Sequence, residues 1–262
     1  MKILKVFPLV DHPFRYNYAI NYGVWDQIPG DEVRLECFDA DLNEYDVVFL
    51  PFHSRWKGNE DLLEGIKEHR IKKVLFDNDS CYRSFKDPFY RGMDFIFYRC
   101  KDKDNRIPEC DSSQLLWSIN HEKYTPQYGG EGVLFSCSVT GAYPLRKQIA
   151  KVIKPERHIG QCYIERIQQS AGAIHTDSPK VQQPRAKILE FAACGTNIIS
   201  NRCGTELYFP NKLLTLFDTI DELRGIVKGF RPDVKVQKQL REVVEAKHTD
   251  EIRAEQILNM IQ

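Results

Sequence analysis

The stretch HTDSPKVQQPRAKILEFAACGTNIISNRCGTELYF, residues 175–209, sets two cations, Arg185 and Lys187, ahead of a carboxylate, Glu190, on one helical pattern. Gly195-Thr196 closes that pattern before a strand. His175 stands at the end of the strand before it, where it is either a ligand contact or a hydrogen-bonded loop residue. Cations so placed hold anions, phosphate above all, and ligands of open parallel α/β sheets bind at the carboxyl ends of the strands. In the first half, Asp77-Asn78-Asp79 directly follows a strand. A general base or an acceptor-binding carboxylate belongs there, although Asn and Asp are equally what a turn needs. His53, Arg55 and Trp56 after another strand, and His12 and Arg15 after the first, are weaker candidates for acceptor contact.

What is missing prunes the chemistry further. The sequence has no GxGxxG, no GxxxxGK[ST], no GxSxG and no HExxH, which weakens dehydrogenase, kinase, hydrolase and zinc-protease readings. Its eight cysteines lie no closer than nine positions apart, so no CxxC metal clip or redox pair is present. Buried free thiols suit a reducing cytosol, and a cytoplasmic location is the expectation. The apolar start is broken by Lys5 and Pro8, and no run of about 18 apolar residues occurs, so neither a signal peptide nor a membrane span is expected.

With 262 residues, 42% apolar and 28% charged, the chain is long enough for two ordinary domains and needs no staple. Its 37 basic and 37 acidic side chains cancel, which argues against a protein built to coat nucleic acid. Residues 1–125 carry 18 basic and 22 acidic groups, leaving the positive surplus, and any phosphate ligand, to residues 126–262.

The elements that must position these groups alternate as strands and helices. Strands are predicted at Ile3–Phe7, Val33–Phe38, Asp46–Phe52, Lys73–Phe76 and Phe95–Tyr98, with helices at Tyr18–Ile28 and Leu62–His69. A second run follows. It has a strand in VLFSCSV from Val133, a helix starting at Pro144, a helix over Tyr163–Ser170 and a strand over Ala171–Ile174. A helix over Arg185–Ala193, strands at Asn197–Ser200 and Leu213–Phe217, and a helix opened by the capping box Thr219-x-x-Glu222 complete it. The tail from Val236 reads as helix. Polar segments at 101–113 and 121–132 suggest domains of 1–128 and 129–262. The fold class is α/β, two Rossmann-like domains with parallel sheets facing across a cleft.

The segment Lys187-Ile-Leu-Glu190-Phe-Ala-Ala-Cys-Gly195-Thr196 resembles the nucleotide-sugar motif of group 1 glycosyltransferases with the GT-B fold. The compact branch that includes the spore-coat-maturation glycosyltransferase-like proteins is the most similar. INHEKYTP (119–126), VLFSCSVTGAYPLR (133–146), CYIERIQQSAGAIHT (162–176) and HTDEIRAEQIL (248–258) fit the same family in order. The resemblance spans 119–258, while the first half matches in its βα pattern and in VLFDND (74–79).

It implies transfer of a sugar from a nucleotide diphosphate donor, a UDP-sugar on base rate, to an unidentified acceptor, with retention of configuration and without a metal. Arg185, Lys187 and Arg146 would hold the diphosphate, Glu190 the ribose diol, and Ser136, Ser138, Gly195 and Thr196 would line the nucleotide. Asp77, Asp79 and His175 are the catalytic candidates, His175 as a contact to the donor sugar. Two positions depart from the family. The first motif carboxylate, eight positions before Glu190, is Gln182, and the glycine expected after the first strand is replaced within Ser136-Cys137-Ser138. These departures leave room for a catalytically silent nucleotide-sugar-binding module. Among acceptors, a glycan, a protein and modified DNA bases stay open, the last supported by Arg55, Lys57, Lys72, Lys73 and Arg83 and opposed by the acidic balance of the first half.

Overall fold

The computed structural model describes residues 1–7, 22–51, 56–77, 83–102, 104–137, 143–158, 160–177 and 185–262. Packing divides them into two units, one of Met1–Leu115 with Arg253–Gln262, the other of Leu116–Ile252. The division falls ahead of the polar 121–132 segment. Ile119 bridges Thr249, so that segment belongs with the second unit, and the last helix from Arg253 onward belongs with the first.

The first unit is a six-stranded parallel sheet of β1 (Ile3–Phe7), β2 (Asp31–Arg34), β3 (Val47–Leu50), β4 (Lys72–Asp77), β5 (Phe95–Tyr98) and β6 (Asp111–Gln114), in the order β2-β1-β3-β4-β5-β6. Period-two alternation divides its side chains between two apolar layers, as a sheet covered on both faces requires. Ile3, Val47, Phe49, Val74, Phe76, Phe95 and Phe97 pack with Val24 and Trp25 of α1 (Tyr22–Gln27) and with Ala254, Ile257 and Ile261 of the C-terminal helix. Leu4, Val6, Val48, Leu50, Leu75 and Ile96 pack on the other face with Leu63 and Ile66 of α2 (Glu60–Glu68). Two buried lysines interrupt the pattern. Lys5 donates to the carbonyls of Trp25 and Ile28 at the end of α1, and Lys73 to those of His69 and Ile71 just past α2, so each satisfies carbonyls that a helix end leaves open.

The second unit is a four-stranded parallel sheet of β7 (Val133–Leu134), β8 (Gly172–His175), β9 (Asn197–Asn201) and β10 (Leu214–Phe217), in the order β10-β9-β8-β7. One face carries Leu134, Ala173 and Ile198 beneath α4 (Gln161–Gln168), α5 (Lys187–Ala193) and α7 (Val234–Lys247). The other carries Val133, Phe135, Ile174, Ile199 and Phe217 against α3 (Pro144–Ile149) and α6 (Ile220–Gly229). The capping box at Thr219 is present with both of its bonds.

Several elements differ from the sequence prediction for local reasons. Val33–Phe38 is a strand only to Arg34, because the chain turns through a 3₁₀ segment at Leu35–Cys37 that buries Leu35. β6 lies inside a segment that reads as a polar linker. It is an edge strand whose side chains are exposed or half-exposed, so pairing with β5 needs no apolar pattern. Only Val133 and Leu134 of VLFSCSV form β7, since Ser136 bridges Glu156 instead. The helical tail is two helices, α7 and α8 (Asp250–Ile261), broken at His248-Thr249.

One buried guanidinium knits the second unit. Nη1 of Arg241 on α7 donates to the carbonyls of His121 (3.1 Å), Tyr124 (2.9 Å) and Ala193 (2.9 Å). Replacing Arg241 by Leu removes this donor from all three, leaving His121 with only the Tyr124 N–H, and is expected to lower the unfolding free energy by about 3 kcal/mol. The exposed pair Arg224–Asp221 is the control, with Arg224→Leu changing it by less than about 0.5 kcal/mol. Urea unfolding of both variants checks the contrast, and equal losses would show that Arg241 is no more than a surface charge.

Candidate functional site

Register brings the second unit's polar groups together. Leu134, Ala173 and Ile198 stand side by side across β7, β8 and β9 and form the last apolar row beneath α5. Two residues further on, the same face changes character: His175 pairs with Ser200, and Ser136 follows the end of β7, where it bridges Glu156. The polar row of His175 and Ser200 therefore caps the apolar layer at the carboxyl edge, and both residues are buried, as is Ser136.

Lys187, in the first turn of α5, covers this row. Its Nζ donates to the Ser136 carbonyl at 2.8 Å and lies 5.3 Å from the centre of the Tyr163 ring. Arg146 of α3 donates through Nε and Nη2 to the hydroxyl and carbonyl of Thr176, each at 3.2 Å. Tyr143, just before α3, carries two guanidiniums, those of Arg146 at 4.1 Å and Arg185 at 5.5 Å from its ring centre. Arg185 is also 3.6 Å from the carboxylate of Asp177, whose backbone N–H donates to Asn201 Oδ1 and whose carbonyl accepts from Asn201 Nδ2. Cation–π contact and ion pairing thus fix the directions of two otherwise free side chains.

Glu190 lies one turn along α5 on the side of Lys187. Its Oε2 accepts the Tyr163 hydroxyl at 2.9 Å and its Oε1 the Tyr124 hydroxyl at 3.4 Å. A carboxylate offers about four acceptor positions, so two remain for a ligand diol. Burial raises the Glu190 carboxyl, opposed by the Tyr163 bond and by Lys187. Burial likewise lowers Lys187, opposed by Glu190. His175 has no such counterweight. Burial, joined by the charges of Lys187, Arg146 and Arg185, pushes its imidazole down to about 3. Cys137, beside Ser136, is raised by burial against the pull of Arg146, Lys187 and Arg157.

Of the residues the sequence nominated, Ser136, Arg146, His175, Arg185, Lys187 and Glu190 meet at this edge. Gly195 and Thr196 do not. They follow the far end of α5, about 12 Å along the helix from Lys187 at its ordinary rise. Gly195 has φ +77°, and a Cβ there would come within 2.9 Å of the Tyr128 ring. The Thr196 hydroxyl donates to the Ile167 carbonyl in the core. Their place is structural: a left-handed helix end and a buried strand start. Asp77 ends β4 in the first unit, 2% exposed, where it accepts the Tyr90 hydroxyl at 2.8 Å. Asp79, Ser138 and Gln182, with His12, Arg15, His53 and Arg55, lie outside the described residues. Tyr124, Tyr143, Tyr163, Thr176 and Asp177 were not nominated. Tyr143 and Arg185 are separated by 42 positions, and no local pattern links them.

Among the described residues no three His, Cys, Asp or Glu side chains are grouped to hold a metal, and no helix is long and apolar enough to cross a membrane.

Residues 134–259, just under half of the chain, match a family model described as glycosyl transferase-like, and this span contains all six residues that meet at the edge. Among solved structures the chain is similar to Anabaena Alr3699/HepE in complex with UDP and glucose, at 8% identity and TM-score 0.67 over 100% of this chain and 99% of that one. It is similar as well to sucrose-phosphate synthase of Thermosynechococcus elongatus, at 10% identity and TM-score 0.61 over 100% and 98%. The N-terminal domain of trehalose-6-phosphate phosphatase of Candida albicans aligns at 11% identity and TM-score 0.63 over 99% and 96%. No curated protein sequence matches. The fold is that of the GT-B glycosyltransferases, two Rossmann-like α/β units, and the second unit carries most of the glycosyl transferase-like segment.

The buried imidazole has a measurable consequence. Its folded value near 3 lies below the ordinary 6.5 of the unfolded chain, so as pH falls below 6.5 the unfolded chain takes a proton that the folded chain refuses. Stability drops by about 1.4 kcal/mol per pH unit from this group, about 2 kcal/mol by pH 5. Urea unfolding should show wild type losing about 2 kcal/mol more than His175→Gln between pH 7 and 5. Parallel pH profiles would show that the folded imidazole protonates freely.

Proposed function

We propose that the protein is a glycosyltransferase whose second unit binds a nucleotide diphosphate sugar, a UDP-sugar by preference. The observation that carries this reading is the gathering of Arg146, Arg185, Lys187 and Glu190 at one sheet edge within the glycosyl transferase-like segment. The three cations suit a diphosphate, and the free lone pairs of Glu190 suit the 2′- and 3′-hydroxyls of the ribose. In the transfer, the bond from the anomeric carbon to the β-phosphate oxygen breaks and the diphosphate leaves with the electron pair. The acceptor oxygen bonds to that carbon and gives up its proton. Negative charge grows on the leaving group, and preorganised cations stabilise it, work that a divalent metal does elsewhere. The anomeric configuration would be retained. The first unit would present the acceptor, a glycan, a protein or modified DNA, with Asp77 and Asp79 as the candidate carboxylates, and the protein would act in the cytoplasm.

A second reading, a nucleotide-sugar-binding module without transfer, draws on Gln182 in place of a carboxylate and on Asp77, whose carboxylate is engaged by Tyr90. Incubating the protein with UDP-, GDP- and TDP-sugars and assaying both thermal stabilisation and nucleoside diphosphate release separates the two. Stabilisation with release supports the enzyme, stabilisation alone the module, and silence in both removes the nucleotide-sugar reading.

Lys187→Ala and Glu190→Ala are expected to weaken binding of the preferred nucleoside diphosphate at least tenfold without unfolding the protein. Tyr163→Phe removes the phenol that holds Oε2 and should cost about threefold to tenfold. If Glu190 serves the ribose, a 2′-deoxy nucleotide binds wild type more weakly but binds Glu190→Ala no worse than the ribonucleotide does. Calorimetric titration reads both, and an unchanged preference in Glu190→Ala would reassign the carboxylate.

A further inference from the structure

His175 is 3% exposed, yet its Nε2 has no hydrogen-bond partner among the described residues. Ser136 and Ser200 are provided for: the Ser136 carbonyl takes Lys187, and the Ser200 hydroxyl donates to the Asn201 carbonyl. Buried polar atoms in native folds are almost always paired, so an orphan at the carboxyl edge of a sheet is either a defect or a group waiting for a ligand.

The surroundings define that ligand. Lys187 reaches over the row from α5, Arg146 holds the adjacent residue Thr176 from α3, and Arg185 approaches through Asp177, two residues on. Among the described residues two carboxylates stand against these three cations, both already engaged, Asp177 with Arg185 and Glu190 with two phenols. What balances the surplus is an anion. A neutral imidazole carries one N–H and one lone pair, and a lone pair turned toward an anion would be repelled, so the tautomer that fits has its proton on Nε2.

We propose that His175 is a ligand-contacting residue of this site, its Nε2–H donating to a phosphate oxygen of the anion that Arg146, Arg185 and Lys187 bind. The proposal rests on the nucleotide-sugar reading above and assigns the histidine to the diphosphate rather than to the sugar. Its chemical requirement is a phosphate or diphosphate oxygen, whatever base and sugar are attached. The low basicity of the ring fits the role, because the histidine then adds a donor without adding a fourth charge that the empty site would have to hold.

Inorganic pyrophosphate is the probe that isolates this contact, with UDP, GDP and TDP and the matching UDP-, GDP- and TDP-sugars titrated beside it into the full chain. In His175→Ala, pyrophosphate and the preferred nucleoside diphosphate should each weaken about tenfold, the size of one hydrogen bond to a charged group. His175→Gln, whose amide N–H falls near the position of Nε2, should recover part of that loss. His175→Asn, whose amide falls nearer Nδ1, should not. If Ala proves unfolded by circular dichroism, the Gln–Asn contrast alone decides. Nitrogen-15 spectra of the wild-type ring should show the Nε2–H tautomer, with that signal moving on addition of pyrophosphate.

Unchanged pyrophosphate affinity in His175→Ala, with weakening confined to the intact sugar donor, would place the histidine on the sugar and overturn the proposal. Unchanged affinity for every probe would make it a buried filler, which overturns it equally. If wild type itself binds neither pyrophosphate nor any nucleoside diphosphate, the nucleotide-sugar reading fails first, and the assignment of His175 falls with it.

Discussion

The second unit depends on the three carbonyls gathered by Arg241. They come from the two ends of a 3₁₀ turn at His121–Lys123 and from the end of α5, and no regular element joins that turn to the helix. A guanidinium suits the task because its donors are fixed in a plane and its charge persists when buried. Its consequence reaches the site. Arg241 pins the backbone of Tyr124, whose hydroxyl reaches Glu190, and pins the last turn of α5, whose first turn carries Lys187. A bidentate ion pair works at the other side: Arg166 of α4 grips Glu156 at 2.7 and 2.8 Å and pulls its carboxyl down to about 2, while Glu156 bridges Ser136 where β7 gives out.

The site itself is held by compromise. Burial works against the charge on Lys187 and on Glu190 in opposite directions, and each is relieved by the other's charge. Tyr163 links them, its ring under Lys187 and its hydroxyl on Glu190. Arg146 and Arg185 share the Tyr143 ring, which sets two like charges side by side. Such proximity of like charges is unfavourable by itself and is offset here by the Tyr143 ring and by the Asp177 carboxylate beside Arg185. The buried lysines of the first unit are the contrast. Lys5 and Lys73 spend their donors on carbonyls at helix ends and leave nothing for a ligand.

Much of the fold was legible in local patterns. Ile3–Phe7 and Phe95–Tyr98 begin and end as strands where their apolar runs do, and Thr219-x-x-Glu222 opens its helix by bonds that involve only near neighbours. β6 was not legible, because an edge strand of Asp, Ser and Gln is defined by the backbone of β5 beside it. The last helix read as part of the second domain, yet Ala254, Ile257 and Ile261 pack on the first sheet. Their spacing specifies an apolar face without saying which core receives it.

The candidate site divides along the same line. By itself the sequence determined the residue types and their spacing along one element: Lys187 and Glu190 fall on one side of α5 because a helix repeats every 3.6 residues, and His175 ends a strand because an apolar run stops there. Only the tertiary structure decided which of those residues share a place. It set His175 and Ser200 in one row through strand register, brought Lys187 onto the Ser136 carbonyl, laid Arg185 on a tyrosine 42 positions away, and sent Gly195 and Thr196 to the opposite end of α5. The physical reason is that periodicity is a property of neighbours in sequence. Register, ion pairing and burial are properties of neighbours in space, and these choose which charges stay free to meet a ligand.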